Sequence, residues 1–310
     1  MNHYVPEGNL ISTFENHELI SSYKGLERAL EKQLILEAPA VLCDHNFNLH
    51  VALGSGIRGI IPREEATYSP KEEVKDIAIL TRVGKPVCFM VTGFEHSSTG
   101  ELTAILSRKR AQRECSLNYI EALSAGDIIP SKITHLENFG AFVDIGCGII
   151  SLLSIDSISV SRISHPSARL SVGDSLHTVV KSVDELGRVY VSVRELLGTW
   201  EENASLFNEG QTVRGIVRSV ESYGVFIELK PNLAGLAEYK DDVYPGQTAA
   251  VYIKSIIPEK MKIKLIIIDS HDAPLYREPL EYFLDTDRIT HIDSWVYSPK
   301  NSKKVVQSIF

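Results

Sequence analysis

Cysteine is scarce in this 310-residue chain: Cys43, Cys88, Cys115 and Cys147 lie 45, 27 and 32 residues apart. That spacing fits neither paired zinc ligands nor a dense disulfide framework, so reduced thiols buried as small apolar side chains are expected. The one near-motif, Cys43-Asp44-His45, lacks a second ligand pair. No metal site and no cofactor are expected. Long apolar runs are missing too. None approaches the ~18–20 residues of a membrane-spanning helix, and the opening Met1-Asn2-His3-Tyr4-Val5-Pro6 lacks the basic-then-apolar order of a signal peptide. A cytoplasmic location without a membrane partner is the expectation. An excess of basic charge is absent: the net charge of −8 has the wrong sign for a surface that attracts phosphate everywhere. Any nucleic-acid site has to be local, and non-specific duplex binding is disfavoured. Catalytic patterns are lacking as well. Gly54-Ser55-Gly56 is not followed by the Lys-Ser/Thr of a nucleotide loop, no nuclease-like carboxylate cluster occurs, and Ser161–Pro166 offers serine and histidine with no acid to orient His165. The chain reads as a non-enzyme with no catalytic residue and no small-molecule substrate.

What is present is a repeat. Asn138-Phe139-Gly140-Ala141-Phe142-Val143-Asp144-Ile145 recurs 84 residues on as Ser222-Tyr223-Gly224-Val225-Phe226-Ile227-Glu228-Leu229. The same offset links Gly126 to Gly210 and Ser151-Leu152-Leu153 to Gly235-Leu236-Ala237. Around the first block run short alternating segments, about 127–136, 139–145, 149–155, 175–183 and 188–193, separated by Gly/Asp turns. Five short strands without a helical period predict a small closed barrel of the OB type, whose mid-strand glycine marks a corner where a Cβ would not fit. The second copy loses eleven residues between its third and fourth strands, since Gly173 and Gly246 are only 73 apart. A diverged third copy aligns 51–61 with 143–153 at an offset of 92, with Asn48 in place of Gly140 and His50 in place of Phe142.

The fold class expected is therefore mainly β: three tandem five-stranded OB-fold barrels joined by short helices. Residues 1–21 form an N-terminal extension, 22–106 the diverged barrel, 107–125 a basic helical linker and 126–194 a full barrel. Residues 195–209 form a second helical linker, 210–268 another barrel and 269–310 a C-terminal tail. Ser107 is the expected N-cap of the first linker helix, and Thr199-Trp200-Glu201-Glu202 reads as a capping box opening a helix to Phe207. The tail, with Tyr276, Tyr282, Phe283, Trp295, Tyr297 and Phe310, is expected against the third barrel.

The order glycine, strand, Phe-Gly-Ala-Phe-Val-Asp, then Gly-Asp and Val-Asp…Gly-Arg-Val…Ser-Val-Arg resembles the S1 RNA-binding domain, the OB module repeated in bacterial ribosomal protein S1. The resemblance is strong over 126–194, good over 210–268 and weak over 22–106. It implies single-stranded RNA held across one barrel face by two aromatics, a histidine, an Asp and an Arg. Carried over by position, the first aromatic is Phe139 or Tyr223 and the second Phe142 or Phe226. The histidine falls on Ser154 and Glu238, so both copies lack it. The Asp and Arg are Asp184 and Arg188 in the middle barrel, with Ile257 and Lys262 in their place in the third.

The residues leave alternatives open. Phe139, Phe142, Tyr223 and Phe226 are either stacking platforms or core side chains. Alternation favours the former, since Val143 and Ile145 take the inward positions and Phe142 and Asp144 should face out. Lys260, Lys262 and Lys264 are expected on one exposed strand face, as a local positive stripe. Asp184 and Arg188 are RNA contacts or turn chemistry. Arg108, Lys109, Arg110 and Arg113 are an auxiliary phosphate contact or a solvated helix face. The expected partner is single-stranded RNA, with mRNA at the small ribosomal subunit as the setting; the alternative is a non-catalytic scaffold that docks on the ribosome or another ribonucleoprotein complex.

Overall fold

Both copies of the repeat, and the diverged copy before them, close into five-stranded barrels. The computed structural model describes residues 3–54, 56–69, 75–96, 102–272 and 279–310; Ser55 of the first glycine turn and Tyr276 of the tail lie outside the described residues. The first barrel comprises β1 (Leu36–Cys43), β2 (Leu49–Ala52), β3 (Arg58–Ile61), β4 (Pro86–His96) and β5 (Leu102–Ser107). The middle barrel comprises β6 (Ile128–Glu137), β7 (Gly140–Asp144), β8 (Ile150–Ser154), β9 (Ser175–Val183) and β10 (Val189–Ser192). The third comprises β11 (Thr212–Glu221), β12 (Gly224–Lys230), β13 (Leu233–Ala237), β14 (Thr248–Ile257) and β15 (Lys262–His271). In each the strands run first-second-third-fifth-fourth around the barrel. The third and fifth strands pair in parallel: β3 with β5, β8 with β10 and β13 with β15. The repeat is thus one of register as well as of sequence.

The alternation produces the closure. Along β7, Ala141 and Val143 are buried while Phe142 between them is only partly so; Val225, Ile227 and Phe226 do the same along β12. The glycine before each run is required sterically. A Cβ on Gly140 would strike the Leu153 carbonyl, and one on Gly224 the Ala237 carbonyl, both on the adjacent strand. This close approach is the reason that the glycine repeats while its neighbours vary.

The chain divides into two compact units. The first holds residues 1–123, 130–132 and 144–150. Before β1 it forms α1 (Phe14–Ile20) and α2 (Tyr23–Glu31), so residues 23–31, expected within the first barrel, are helical. Leu19, Leu26 and Ala29 from these helices pack into a core with Leu36, Leu49 and Phe89. α3 (Asp76–Leu80) and α4 (Arg108–Asn118) complete the unit's helices among the described residues, α4 capped by Ser107 accepting the Arg110 N–H. The buried Glu37 accepts N–H groups from Gly8, Leu10 and Ile11 at 2.9–3.0 Å, tying the N-terminal segment down. Burial pushes its carboxyl up to about 7 even against those three donors.

Asp144 corrects an expectation. Sequence alternation placed it outward beside Phe142, yet it is 2% exposed. β7 ends there, and the carboxylate caps the following turn by accepting the Gly146 and Gly148 N–H groups at 2.8 and 3.0 Å, with the Glu7 N–H at 2.7 Å. Burial, then the Glu7 charge, push its carboxyl up to about 7. The outward register is kept, but other parts of the unit cover it.

The second unit holds 124–129, 133–143 and 151–310. Here α5 (Trp200–Ala204) opens with the expected capping box of Thr199 and Glu202. It stops before Phe207 because the last turn tightens to i→i+3 bonds, Leu206 to Asn203 and Phe207 to Ala204. Glu228, the repeat partner of Asp144, is also buried. It is gripped by Arg169 at 2.6 and 2.8 Å and by Arg218 at 2.8 and 3.0 Å. The tail differs from expectation in packing on two barrels. Trp295 and Tyr297 enter the third barrel's core, whereas Tyr282, Leu284 and Phe310 cover Ile128, Val179 and Leu196 of the middle one. β16 (Ser294–Val296) and β17 (Gln307–Ile309) pair as a separate two-stranded sheet.

Candidate nucleic-acid interface

The four repeated aromatics form two ring pairs of nearly identical geometry. Phe139 and Phe142 meet edge to face with centroids 6.0 Å apart and planes at 88°; Tyr223 and Phe226 do so at 6.2 Å and 88°. In each pair the first ring stands in solvent, Phe139 at 54% and Tyr223 at 68% exposed, and the second is half-buried against the strand. Phe139 is held by its backbone, its carbonyl accepting the Ile155 N–H at 2.9 Å. Neither Tyr223 nor Phe226 is among the residues that build the third barrel's core cluster. An exposed edge-to-face pair offers at least one open π-face for a base to stack on.

A further ring escaped the sequence reading. His135 on β6 lies over Phe142, with centroids 6.4 Å apart and planes 24° from parallel, and its Nε2 is 2.8 Å from Glu137 Oε1. The middle barrel lacks a histidine at Ser154 but places one beside the second ring from another strand. Only the β6–β7 pairing brings it there, and no repeat marks it.

Asp184 and Arg188 sit on the β9–β10 turn with Nε and Oδ2 2.7 Å apart. Asp184 also accepts the Leu186 and Arg188 N–H groups at 2.9 Å. Those backbone bonds, then the Arg188 side chain, hold its carboxyl below the usual range. The carboxylate is thereby engaged in the turn, while the Arg188 side chain reaches solvent. In the third barrel the corresponding Ile257 and Lys262 are direct partners across β14 and β15.

The lysine stripe is corrected in one member. Lys262 and Lys264 alternate outward along β15, but Lys260 lies in the 3-10 turn Pro258–Lys260, and Met261 at φ 48° breaks the register before the strand starts. Lys254 on β14 joins them from across the sheet. Lys254, Lys262 and Lys264 line a groove of about 520 Å3 together with Tyr223, Leu236, Glu238, Tyr239 and Lys240.

The basic helix divides. Arg108 is 3% exposed, its guanidinium bound to both Glu7 oxygens at 2.7 and 3.1 Å and to the Ala66 carbonyl at 3.3 Å. It is a structural ion pair and leaves the auxiliary set, because its position at the first turn of α4 faces into the unit. Lys109 donates to the Glu64 carbonyl, and Arg110 and Arg113 are exposed. His165 bonds Ser167 at 2.7 Å within its own loop. Among the described residues no group of three or more His, Cys, Asp or Glu side chains could hold a metal. Cys88, Cys115 and Cys147 are buried and unbridged, and Cys43 is half-buried.

Known proteins align with this architecture. The S1 RNA binding domain family matches residues 123–194. Small ribosomal subunit protein bS1 of Staphylococcus saprophyticus is 32% identical over 267 residues, 81% of this chain and 65% of its own length. The bS1 protein of Staphylococcus aureus is 26% identical over the same shares. The chain thus spans 65% of the length of the curated relatives that it matches. A solved multidomain protein with nucleic acid binding domains from Streptococcus pneumoniae aligns over 76% of this chain and 73% of its own, at 14% identity and a TM-score of 0.25. On its three closed barrels and these sequence matches, residues 123–194 carry an S1 RNA binding domain, and the chain is homologous to small ribosomal subunit protein bS1.

Proposed function

We propose that this protein binds single-stranded RNA on the middle and third barrels, stacking bases on Phe139, Phe142, Tyr223 and Phe226 and meeting phosphates with Arg188, Lys262 and Lys264. The observation that carries this reading is the recurrence of one ring geometry, 6.0 and 6.2 Å at 88°, on two barrels whose surrounding sequence has diverged. A core needs buried volume and does not need the same exposed edge-to-face pair twice. Stacking suits a chain of net charge −8, since each base contributes ~1–3 kcal/mol without any phosphate contact. In the cell the proposed setting is cytoplasmic, on mRNA at the small ribosomal subunit.

Titration of a fluorescent pyrimidine-rich single-stranded RNA against the whole chain tests this, with the Phe142→Ala/Phe226→Ala variant alongside. Binding that is lost or weakened by at least fivefold in a variant of unchanged melting temperature supports the stacking face. Binding unchanged in the folded variant, or absent at low salt in the parent chain, overturns it. If Phe142→Ala instead melts the middle barrel, the ring is a core side chain. The second reading, a docking scaffold, draws on the first barrel, where Arg63 lies 6.0 Å over the Phe47 ring and His50 pairs with Asp44 at 3.3 Å. Among the described residues that barrel shows no pair of the Phe139–Phe142 geometry, since Phe94 instead packs against Tyr23 of α2 at 4.7 Å and 58°, and we propose a docking role for it.

A further inference from the structure

The two ring-bearing barrels differ in what surrounds the rings. Repeat equivalence can be followed through strand register, because Leu152 and Leu236 occupy matching positions and each has a parallel partner on the fifth strand. Leu152 pairs with Tyr190 and Leu236 with Lys264. Two residues earlier, Arg188 corresponds to Lys262. In the middle barrel the arginine is already joined to Asp184, and Lys181, at the position of Lys254, donates to Ser157 Oγ at 3.1 Å. In the third barrel none of Lys254, Lys262 and Lys264 forms an ion pair among the described residues, and all three are exposed on the wall of one groove.

The register also sets the path. Phe226 pairs with Leu236, Leu236 with Lys264, and Lys264 with Ser255 next to Lys254, so a row crosses four strands from a ring to two cations. Neighbouring strands lie ~4.8 Å apart, which places the first cation about 10 Å from the ring. Beside this row stands Tyr239, 55% exposed and lining the groove. The groove's one acidic lining residue is Glu238. A ligand that fills it must be flat at one point and anionic at the next.

Resting on the RNA-binding reading above, we infer that the third-barrel groove is a phosphate-and-base site of its own, with Lys254, Lys262 and Lys264 on phosphates and Tyr239 under a base. It gives this barrel the larger salt-sensitive share of RNA binding, three lysines against the single Arg188 of the middle barrel. Affinity for single-stranded RNA falls with salt at a log–log slope of about 0.7 per neutralised phosphate.

The experiment uses the full chain and a pyrimidine-rich single-stranded RNA across a salt series, comparing the parent with Lys254→Gln/Lys262→Gln/Lys264→Gln, with Phe142→Ala and with Tyr239→Ala. The triple lysine variant is expected to flatten the slope by about 2. Phe142→Ala lowers affinity at every salt concentration with the slope kept, and Tyr239→Ala lowers it about 5- to 150-fold. All substituted side chains other than Phe142 are exposed, and thermal melting checks that each variant folds. A slope unchanged in the lysine variant, or affinity unchanged in Tyr239→Ala, overturns the groove while leaving RNA binding by the ring pairs intact. A parent chain that binds no RNA overturns both.

Discussion

Phe142 and Asp144 sit two residues apart on the same outward side of one strand, and their fates show what alternation can and cannot reveal. Phe142 remains at the surface; Asp144 is sealed by the Glu7 backbone and by the turn that it caps. Local sequence sets which way a side chain points, but not what arrives from a segment 137 residues away to cover it. His135 and Tyr239 were illegible for the related reason that neither lies within the repeated blocks. The glycine of the repeat was legible because its constraint is local. Gly140→Ala is expected to cost more than the ~1 kcal/mol on which point substitutions centre, since the Leu153 carbonyl occupies the Cβ position. It should also weaken RNA binding by displacing both rings; denaturant melts and titration together check this. Glu238 gives a change of opposite sign. Its carboxylate lines the lysine groove, and removing one unit charge from a phosphate's vicinity in water is worth up to ~1 kcal/mol. Glu238→Gln is expected to tighten RNA binding by up to about fivefold at low salt and by less at high salt.

At the scale of elements, the Arg169–Glu228–Arg218 clamp joins the loop after β8 to β11 and β12. Burial raises the Glu228 carboxyl, but the hydrogen bonds and charges of Arg169 and Arg218 outweigh it and leave the group below its ordinary 4.5. A carboxyl depressed in the folded state contributes stability that is complete above pH about 4.5 and disappears as pH falls through the lowered value. Glu228→Gln should therefore flatten the acid limb of the stability profile. It leaves two guanidinium groups facing each other without a counter-charge, a loss of about 3–5 kcal/mol at neutral pH. Urea unfolding read by tryptophan fluorescence is well placed to measure this, because the two tryptophans, Trp200 and Trp295, both lie in the third barrel's core. An unaltered acid limb in Glu228→Gln would mean that the clamp does not set the pH dependence. The clamp was not readable from spacing, since Arg169 lies in the stretch where the two copies differ in length. The start of β15 was misjudged for a similar reason: Lys260 continues the alternating pattern on paper, and only the left-handed Met261 removes it from the strand.

Over the whole molecule, the sequence showed three barrels because closure repeats the same glycines and the same alternation, while the tail, with no period, hid its division between two cores. That division matters because residues 279–310 help to complete the unit that holds both ring pairs. Two stacking faces on one chain bind a long RNA with the second contact intramolecular, which can raise affinity by 10²–10⁴ over either face alone. An OB barrel occupies ~4–16 nucleotides of single strand, so an oligonucleotide of about 6 meets one face and one of about 30 has length for two. Phe139→Ala/Phe142→Ala removes the middle face only. On the short RNA the third barrel remains available, and the apparent affinity is expected to change by no more than a few-fold. On the long RNA the same variant loses the tethered contact and falls by about 100-fold or more. Anisotropy titrations of both lengths at one salt concentration make the comparison. Equal losses on the short and long RNA would show that the two barrels act separately, each on its own strand.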